Sequence, residues 1–124
     1  MKELTKAEEQ IMQVLWRIEK GFANEIMANL PEPKPAYNTA LTIVRILEKK
    51  GFVGYETFGK ANRYYPLINK EAYSNSLIKG LVKNYFNNSF KSMVSCFADN
   101  QNITSQELEE IRAIIDKGKN KNKE

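Results

Sequence analysis

The sequence predicts a mainly α-helical chain that contains one small β-hairpin. Two observations lead to this fold class. Apolar residues recur every three or four positions over the first fifty residues and again after residue 69, which is typical of amphipathic helices. Between these regions, the segment 52–67 is rich in β-branched and aromatic residues in alternation, which is typical of strands. The 124 residues are enough for one ordinary domain, or for a small domain with an appendage.

The first two helices are delimited by local signals. Thr5 and Glu8 have the spacing of a capping box, so we predict a first helix over 5–18. Gly21 is expected to stop this helix. A second, short helix is predicted over 22–30, because it must end before the proline-rich segment that follows.

The third helix and the hairpin follow in order. The helix is predicted over 37–50, a stretch without Gly or Pro that Gly51 follows at the place of a left-handed C-terminal cap. The hairpin is predicted to pair the segments 52–58 and 62–67 through a Gly-Lys turn.

Beyond the hairpin, the apolar residues of 70–97 and 108–115 again recur at helical intervals, so two more amphipathic helices are predicted. The last residues, 118–124, are too polar to pack and are expected to form a disordered basic tail. We therefore divide the chain into an N-terminal domain at 1–67 and a helical domain at 68–117.

The composition excludes most catalytic sites. The chain has no histidine and a single cysteine, which rules out Ser-His-Asp and Cys-His nucleophiles, histidine-ligated zinc and an internal disulfide. We therefore expect no enzyme activity, no metal and no cofactor. The apolar stretches are too short for a membrane span and the N-terminus lacks the apolar part of a signal peptide. A cytoplasmic protein without membrane insertion is expected.

Three helices followed by a hairpin is the order of elements in a winged helix-turn-helix domain, whose third helix enters the DNA major groove while the hairpin contacts the backbone. The predicted third helix carries a polar stripe suited to this role. The residues expected to contact bases or the groove are Asn38, Thr39, Thr42 and Arg45. The residues expected to contact phosphates are Lys49, Lys60 and Arg63. The segment 33–65 has six basic and two acidic residues, a local net charge of +4 that favours a nucleic acid partner.

The C-terminal helices carry an apolar stripe for which a winged helix has no place in its core. This stripe is too apolar for a lone helix in water, so a second copy of the chain is expected to cover it. The predicted dimer interface consists of Leu81, Tyr85, Phe86, Phe90, Val94 and Phe97. A symmetric dimer of such domains binds the two half-sites of a palindromic operator in double-stranded DNA.

Short motifs along nearly the whole chain resemble a known group of repressors. They are Leu4-Thr5-Lys6-Ala7-Glu8, Val14-Leu15-Trp16, Thr39 and Thr42 followed by Leu47-Glu-Lys-Lys-Gly-Phe-Val53, then Gly59-Lys-Ala61, Tyr64, Pro66-Leu67, Lys70-Glu71, Phe86, Ser89-Phe90 and Ser92-Met93-Val94. This set, in this order, resembles the BlaI/MecI/CopY family of penicillinase, methicillin-resistance and copper-responsive repressors.

The resemblance implies two functional sites. It places Asn38, Thr39 and Thr42 where the recognition helix of the family meets DNA. It also implies that a membrane sensor metalloprotease relieves repression by cutting the dimerisation helix, at a bond that corresponds to Cys96-Phe97 here. The phenylalanine of that bond is present, and Cys96 stands where the family has asparagine.

The sequence therefore predicts a homodimeric, sequence-specific transcriptional repressor. Two alternatives stay open: a winged-helix regulator that senses a small molecule bound between its two halves, and a winged helix that binds a protein and never DNA. The salt dependence of binding separates the second alternative from a repressor, because neutralised phosphates make DNA affinity fall steeply with salt.

Overall fold

A computed structural model describes residues 1–100 and 102–122 of the chain. The chain forms two compact units, of which the first is Met1–Leu77 and the second begins at Ile78. Nine elements follow one another in the described residues: α1 (Lys6–Ile18), β1 (Gly21–Phe22), α2 (Ala23–Ala28), α3 (Tyr37–Lys49), β2 (Val53–Phe58), β3 (Ala61–Pro66), α4 (Lys70–Tyr85), α5 (Phe90–Asp99) and α6 (Ser105–Asn122). The mainly helical fold class with a small β-hairpin is confirmed.

Helix α1 begins with the predicted capping box. The backbone N–H of Glu8 donates to Thr5 Oγ1 at 3.2 Å, and the backbone N–H of Thr5 donates to Glu8 Oε1 at 2.8 Å. The helix ends at Ile18, as predicted, but the residue that caps it is Glu19 and not Gly21. Glu19 takes a left-handed φ of 72° and its N–H donates to the carbonyl of Leu15 at 2.8 Å.

Gly21 instead opens a strand that the sequence did not predict. Strand β1 joins the hairpin at its β3 edge and gives a three-stranded antiparallel sheet in the order β1-β3-β2. A Cβ atom at Gly21 would lie 2.7 Å from Ile18 Cδ1, so the glycine lets the end of the Ile18 side chain pack closely against the strand. A strand of two residues has no alternation that the sequence could reveal.

The other elements of the first unit lie close to their predicted bounds. Helix α2 is shorter than predicted at both ends, and α3 ends one residue earlier than predicted. Gly51 is left-handed with a φ of 81°, as the predicted C-terminal cap requires. The hairpin turns at Gly59, which also has a positive φ of 62°, and pairs Val53 with Pro66 at its base.

The core of the first unit is formed by the apolar faces of α1 and α3 against the sheet. Its largest fully buried side chains are Phe52, Ile11, Met12, Leu15, Ile26, Leu47, Val14, Val44 and Val53. The core therefore fixes which face of α3 is turned inward, because the hydrophobic residues of α3 lie on one side of the helix.

The first unit extends ten residues beyond the predicted boundary at residue 67. The indole Nε1 of Trp16 donates to the carbonyl of Ile68 at 2.9 Å, and Tyr73 is 3% exposed in the core. The Tyr73 ring packs against Trp16 and Phe52 at centroid distances of 5.9 and 5.7 Å, and its hydroxyl oxygen accepts the backbone N–H of Leu4 at 2.8 Å. The start of α4 is thus part of the winged-helix core, which corrects the predicted boundary.

The region after the hairpin contains three helices, one more than predicted. The segment 70–97 is interrupted after Tyr85, where Asn87 and Asn88 take left-handed φ values of 50° and 63°. Asparagine tolerates this conformation, so the chain turns here without glycine. Helix α5 then begins with Ser89 as its N-cap, whose Oγ accepts the N–H of Ser92 at 3.1 Å.

Helix α6 replaces most of the predicted disordered tail. The helix continues to Asn122, and residues 123 and 124 lie outside the described residues. The physical reason is that each residue added to an existing helix gains one backbone hydrogen bond, so a helix is easier to extend than to start. High polarity therefore did not exclude regular structure here.

Replacing Tyr73 with Phe tests the boundary of the first unit. The substitution keeps the ring but leaves the buried N–H of Leu4 without its acceptor, so the free energy of unfolding should fall by about 1–3 kcal/mol in urea titrations. Tyr55→Phe on the exposed part of the wing is the control and should leave stability unchanged. Equal stability of the two variants would contradict the role given to Tyr73.

Candidate nucleic-acid interface

The outer face of α3 is polar and open to solvent. Asn38, Thr39, Thr42 and Lys49 are all exposed, whereas Ala40, Val44 and Leu47 on the other side are 3%, 1% and 0% exposed. A helix of 13 residues is about 20 Å long, which suits it to the major groove. The structure therefore brings these four residues of the predicted stripe onto one accessible face, and the fifth, Arg45, is exposed as well.

The hydrogen-bonding capacity of the Thr42 hydroxyl is partly used within its own helix. Its Oγ1 donates to the backbone carbonyl of Asn38, one turn earlier, at 2.9 Å. The hydroxyl hydrogen is thus engaged inside the helix. The groups of Thr42 that remain for a ligand are its methyl group and the lone pairs of its oxygen.

A cleft of about 560 Å³ lies between α3, the start of α2 and the wing. Its lining includes Tyr37, Leu41 and Arg45, which are four residues apart and so share one side of α3. From the wing, Lys60, Ala61 and Asn62 complete the lining, together with the aromatic residues Phe22 and Tyr64. Arg45 and Lys60 both line this cleft, so two cationic groups flank one groove beside the exposed polar face of α3.

Arg63 does not belong to this cleft. It is half-buried on β3, next to the buried Tyr64, so its side chain leaves the opposite face of the sheet. Its cross-strand neighbour on β2 is Glu56, an opposite charge that offsets its own. The structure therefore separates Arg63 from Arg45 and Lys60.

Two of the basic residues of the segment 33–65 already bind groups of the first unit. Lys34 Nζ donates to the carbonyl of Ala28 at 3.2 Å, and Lys50 Nζ lies 2.8 Å from Glu8 Oε2 and 2.9 Å from Glu8 Oε1. Arg45, Lys49 and Lys60 are exposed. The positive charge that a ligand meets is therefore concentrated on the end of α3 and on the wing turn.

The pair of Glu8 and Lys50 fixes α3 in place. Burial of Glu8 opposes its charged form, but hydrogen bonds from Lys50 and from Thr5 outweigh this effect and hold the pKa of Glu8 below its ordinary value. Lys50 is the C-cap residue of α3, so the pair ties the end of α3 to the start of α1.

Two exposed residues of this surface are absent from the predicted contacts. Tyr37, 50% exposed, opens α3 at the cleft, and Ile46, 40% exposed, lies one turn after Thr42. For Tyr37, the detectable signal was an aromatic side chain beside two cationic residues. Its place in the cleft could not be predicted, because the cleft forms only with the wing. Ile46 was detectable as an apolar residue inside a polar stripe.

The predicted dimer residues lie in the second unit and are largely open in the single chain. Leu81, Tyr85, Phe90 and Phe97 are 41%, 76%, 54% and 38% exposed, while Phe86 and Val94 are half-buried. None of the residues of α5 is buried. Exposed apolar surface on this scale is typical of an interaction surface.

Cys96 and Phe97 lie within α5. Cys96 is half-buried, and its carbonyl accepts the backbone N–H of Asn100 at 3.2 Å and the side-chain Nδ2 of Asn100 at 2.8 Å. The bond between Cys96 and Phe97 is thus part of a hydrogen-bonded helix. Over the described ranges, the structure contains no group of three side chains that suits a metal ion, and no helix long and apolar enough to cross a membrane.

The first unit is a winged helix-turn-helix domain, with an accessible third helix and a cationic wing beside it. Comparison with known proteins shows the family: the penicillinase repressor model matches residues 4–117, and the chain belongs to this family of DNA-binding repressors, which are not enzymes. This confirms the resemblance read from the sequence motifs.

Individual relatives agree with the assignment. The methicillin resistance regulatory protein MecI of Staphylococcus aureus (strain N315) is 27% identical over 116 residues, covering 93% of this chain and 94% of the relative. The penicillinase repressor of Bacillus licheniformis is 26% identical over 123 residues, covering 98% and 96%. The solution structure of the DNA-binding domain of the repressor BlaI superposes with a TM-score of 0.51 at 27% identity, covering 59% of this chain and 94% of that domain.

The pair of Glu8 and Lys50 predicts a pH dependence of stability. Because the pKa of Glu8 is lower in the folded chain than in the unfolded chain, its stabilisation is fully present above the unfolded value of about 4.3 and is lost as pH falls through the folded value. Glu8→Gln should therefore lower the free energy of unfolding at pH 7 by about 1.5–3 kcal/mol, and this difference should shrink in acid.

Denaturant titrations of both proteins between pH 7 and pH 3 measure this difference. Glu3→Gln, at an exposed position before α1, is the matched control and should change stability little at any pH. A deficit of Glu8→Gln that stays constant across the whole pH range would be inconsistent with a charged pair.

Proposed function

We propose that this repressor acts as a homodimer that binds a palindromic operator, with α3 in the major groove and the wing on the DNA backbone. The observation that carries the proposal is the convergence of Arg45 and Lys60 on one cleft beside the exposed face of α3. Cations at the edge of a reading helix attract phosphates and set its register on the duplex. The family and its relatives support the same activity.

The residues divide into two roles. Asn38, Thr39 and Thr42 lie on the centre of the exposed face and are proposed to contact base edges. Arg45 lies toward the wing with Lys60, which favours a backbone phosphate as its ligand, and Lys49 is proposed to bind a phosphate at the end of α3. Arg63, with Glu56 beside it, is proposed to make a weaker, longer-range contribution.

The homodimer is proposed on the exposed apolar residues of the second unit. The surface defined by Leu81, Tyr85, Phe90 and Phe97 leaves large apolar groups in water in the single chain. A second copy of the chain is the occupant that also accounts for palindromic recognition, because each protomer brings one reading helix to one half-site.

Binding to DNA from upstream of the chain's own gene, compared with random DNA, tests the repressor activity. At two salt concentrations, we expect preferential binding whose affinity falls steeply with salt and whose stoichiometry is two chains per site. Thr42→Ala should reduce the preference for the operator by about 1–3 kcal/mol and leave the affinity for random DNA unchanged. A wild-type chain without preference at either salt would favour a protein-binding winged helix instead.

Arg45→Gln and Lys60→Gln test the phosphate role of the cleft. Each variant should weaken binding to operator and random DNA by the same factor and reduce the slope of log affinity against log salt by about 1. Lys117→Gln, an exposed lysine of α6, serves as the charge-matched control and should retain the wild-type slope. A change in sequence preference with an unaltered slope would show that Arg45 contacts bases.

We further propose, from the family resemblance, that a membrane sensor metalloprotease relieves repression by cutting between Cys96 and Phe97. The bond is reached only when α5 opens locally, because the Cys96 carbonyl is hydrogen-bonded by Asn100. Opening is inexpensive for a helix of ten residues with none of them buried.

Mass spectrometry of the repressor from penicillin-treated cells tests the cleavage. A fragment that ends at Cys96 is expected in treated cells, and the intact chain in untreated cells. Operator release in treated cells with an intact chain would argue for an effector ligand rather than proteolysis.

A further inference from the structure

Ile46 is an exposed branched apolar residue in the polar outer face of α3. It is 40% exposed, whereas Val44 and Leu47 belong to the core and Ile43 packs against it. A single exposed isoleucine is common on protein surfaces and needs no explanation by itself. Ile46 differs because of its position on the face that is proposed to enter the major groove.

The neighbours of Ile46 on this face also present methyl groups. Thr39, Thr42 and Ile46 are spaced i, i+3 and i+7, so they form one row along the helix. The hydroxyl hydrogen of Thr42 is engaged with the carbonyl of Asn38 at 2.9 Å, so Thr42 offers its methyl group and the lone pairs of its oxygen. The row is therefore more apolar than its sequence indicates.

Two of the cations lie on the wing side of this row. Arg45 lines the cleft with Lys60, and Lys49 is exposed at the end of α3. Phosphate attraction and base contact are thus assigned to different side chains of the same helix. The methyl groups of the row are suited to contact an apolar group on the floor of the groove.

We infer that Ile46 contacts the C5-methyl group of a thymine in each operator half-site and determines specificity for a T·A pair at that position. Among the base edges of the major groove, thymine presents the methyl group that apolar side chains contact. This inference rests on the proposed function, because it requires α3 to enter the major groove. It adds a residue that reads sequence and the base that this residue reads.

The experiment removes the thymine methyl group from the DNA and the Ile46 side chain from the protein, each alone and both together. A binding site is first selected from a random duplex pool with the wild-type chain. Each thymidine of the selected half-site is then replaced, one at a time, with deoxyuridine, which lacks only the C5-methyl group. Affinities of wild type, Ile46→Ala and Ile46→Val are measured for the thymidine and deoxyuridine duplexes and for a random duplex.

At one thymine, the wild-type chain should bind the thymidine duplex about fourfold more tightly per half-site than the deoxyuridine duplex, the effect of burying one methyl group. Ile46→Ala should bind the two duplexes equally, because the partner of the methyl group is gone. Ile46→Val keeps a branched apolar side chain and should retain the wild-type ratio. All three proteins should bind the random duplex alike, which shows that folding and phosphate contacts are intact.

The outcomes separate this inference from the proposed function. If no duplex is enriched from the pool, the proposed function itself fails. If a duplex is enriched but no deoxyuridine weakens wild-type binding, or if Ile46→Ala keeps the wild-type ratio at every position, Ile46 does not read a thymine. A half-site without thymine would equally overturn the assignment.

Discussion

The proposed DNA-binding face depends on one carboxylate that ties two helices together. Glu8 accepts the backbone N–H of Thr5 at the start of α1 and pairs with Lys50 at the end of α3. The close-packed apolar core beneath sets which side of α3 is turned inward. The ion pair adds a charge-assisted hydrogen bond that joins the C-cap of α3 to the start of α1.

The rotation of α3 decides which side chains reach a ligand. Consecutive helical residues are about 100° apart, so a shift by one position would bury Ile46 and expose Leu47. In the observed orientation, the inner side supplies the core, the side toward the wing supplies Arg45, and the outer side supplies Thr42 and Ile46. Affinity and sequence preference would be separable on this helix if, as proposed, its charged side chains bind phosphates and its uncharged side chains contact bases.

The sequence predicted the elements whose signals are local. Helix α3 was predicted to within one residue, because it lacks internal Gly and Pro and ends at a left-handed Gly51. What the sequence could not show depends on contacts between distant residues. Strand β1 exists through its pairing with β3, and Tyr73 joins the first unit through a hydrogen bond to a residue 69 positions away. The cleft, likewise, forms only once the wing lies beside α3.

The second unit shows why control of the proposed repressor need not involve its DNA-binding face. Helix α5 has no buried residue, so little within a single chain stabilises it. In the proposed dimer, contacts with the partner copy would stabilise it. In the proposed dimer, linking two winged helices would make binding of the second half-site intramolecular, so dimerisation would raise operator affinity without any new base contact. Any event that opens α5 would therefore weaken operator binding strongly while the core around Glu8 and Lys50, and with it the orientation of α3, remains intact.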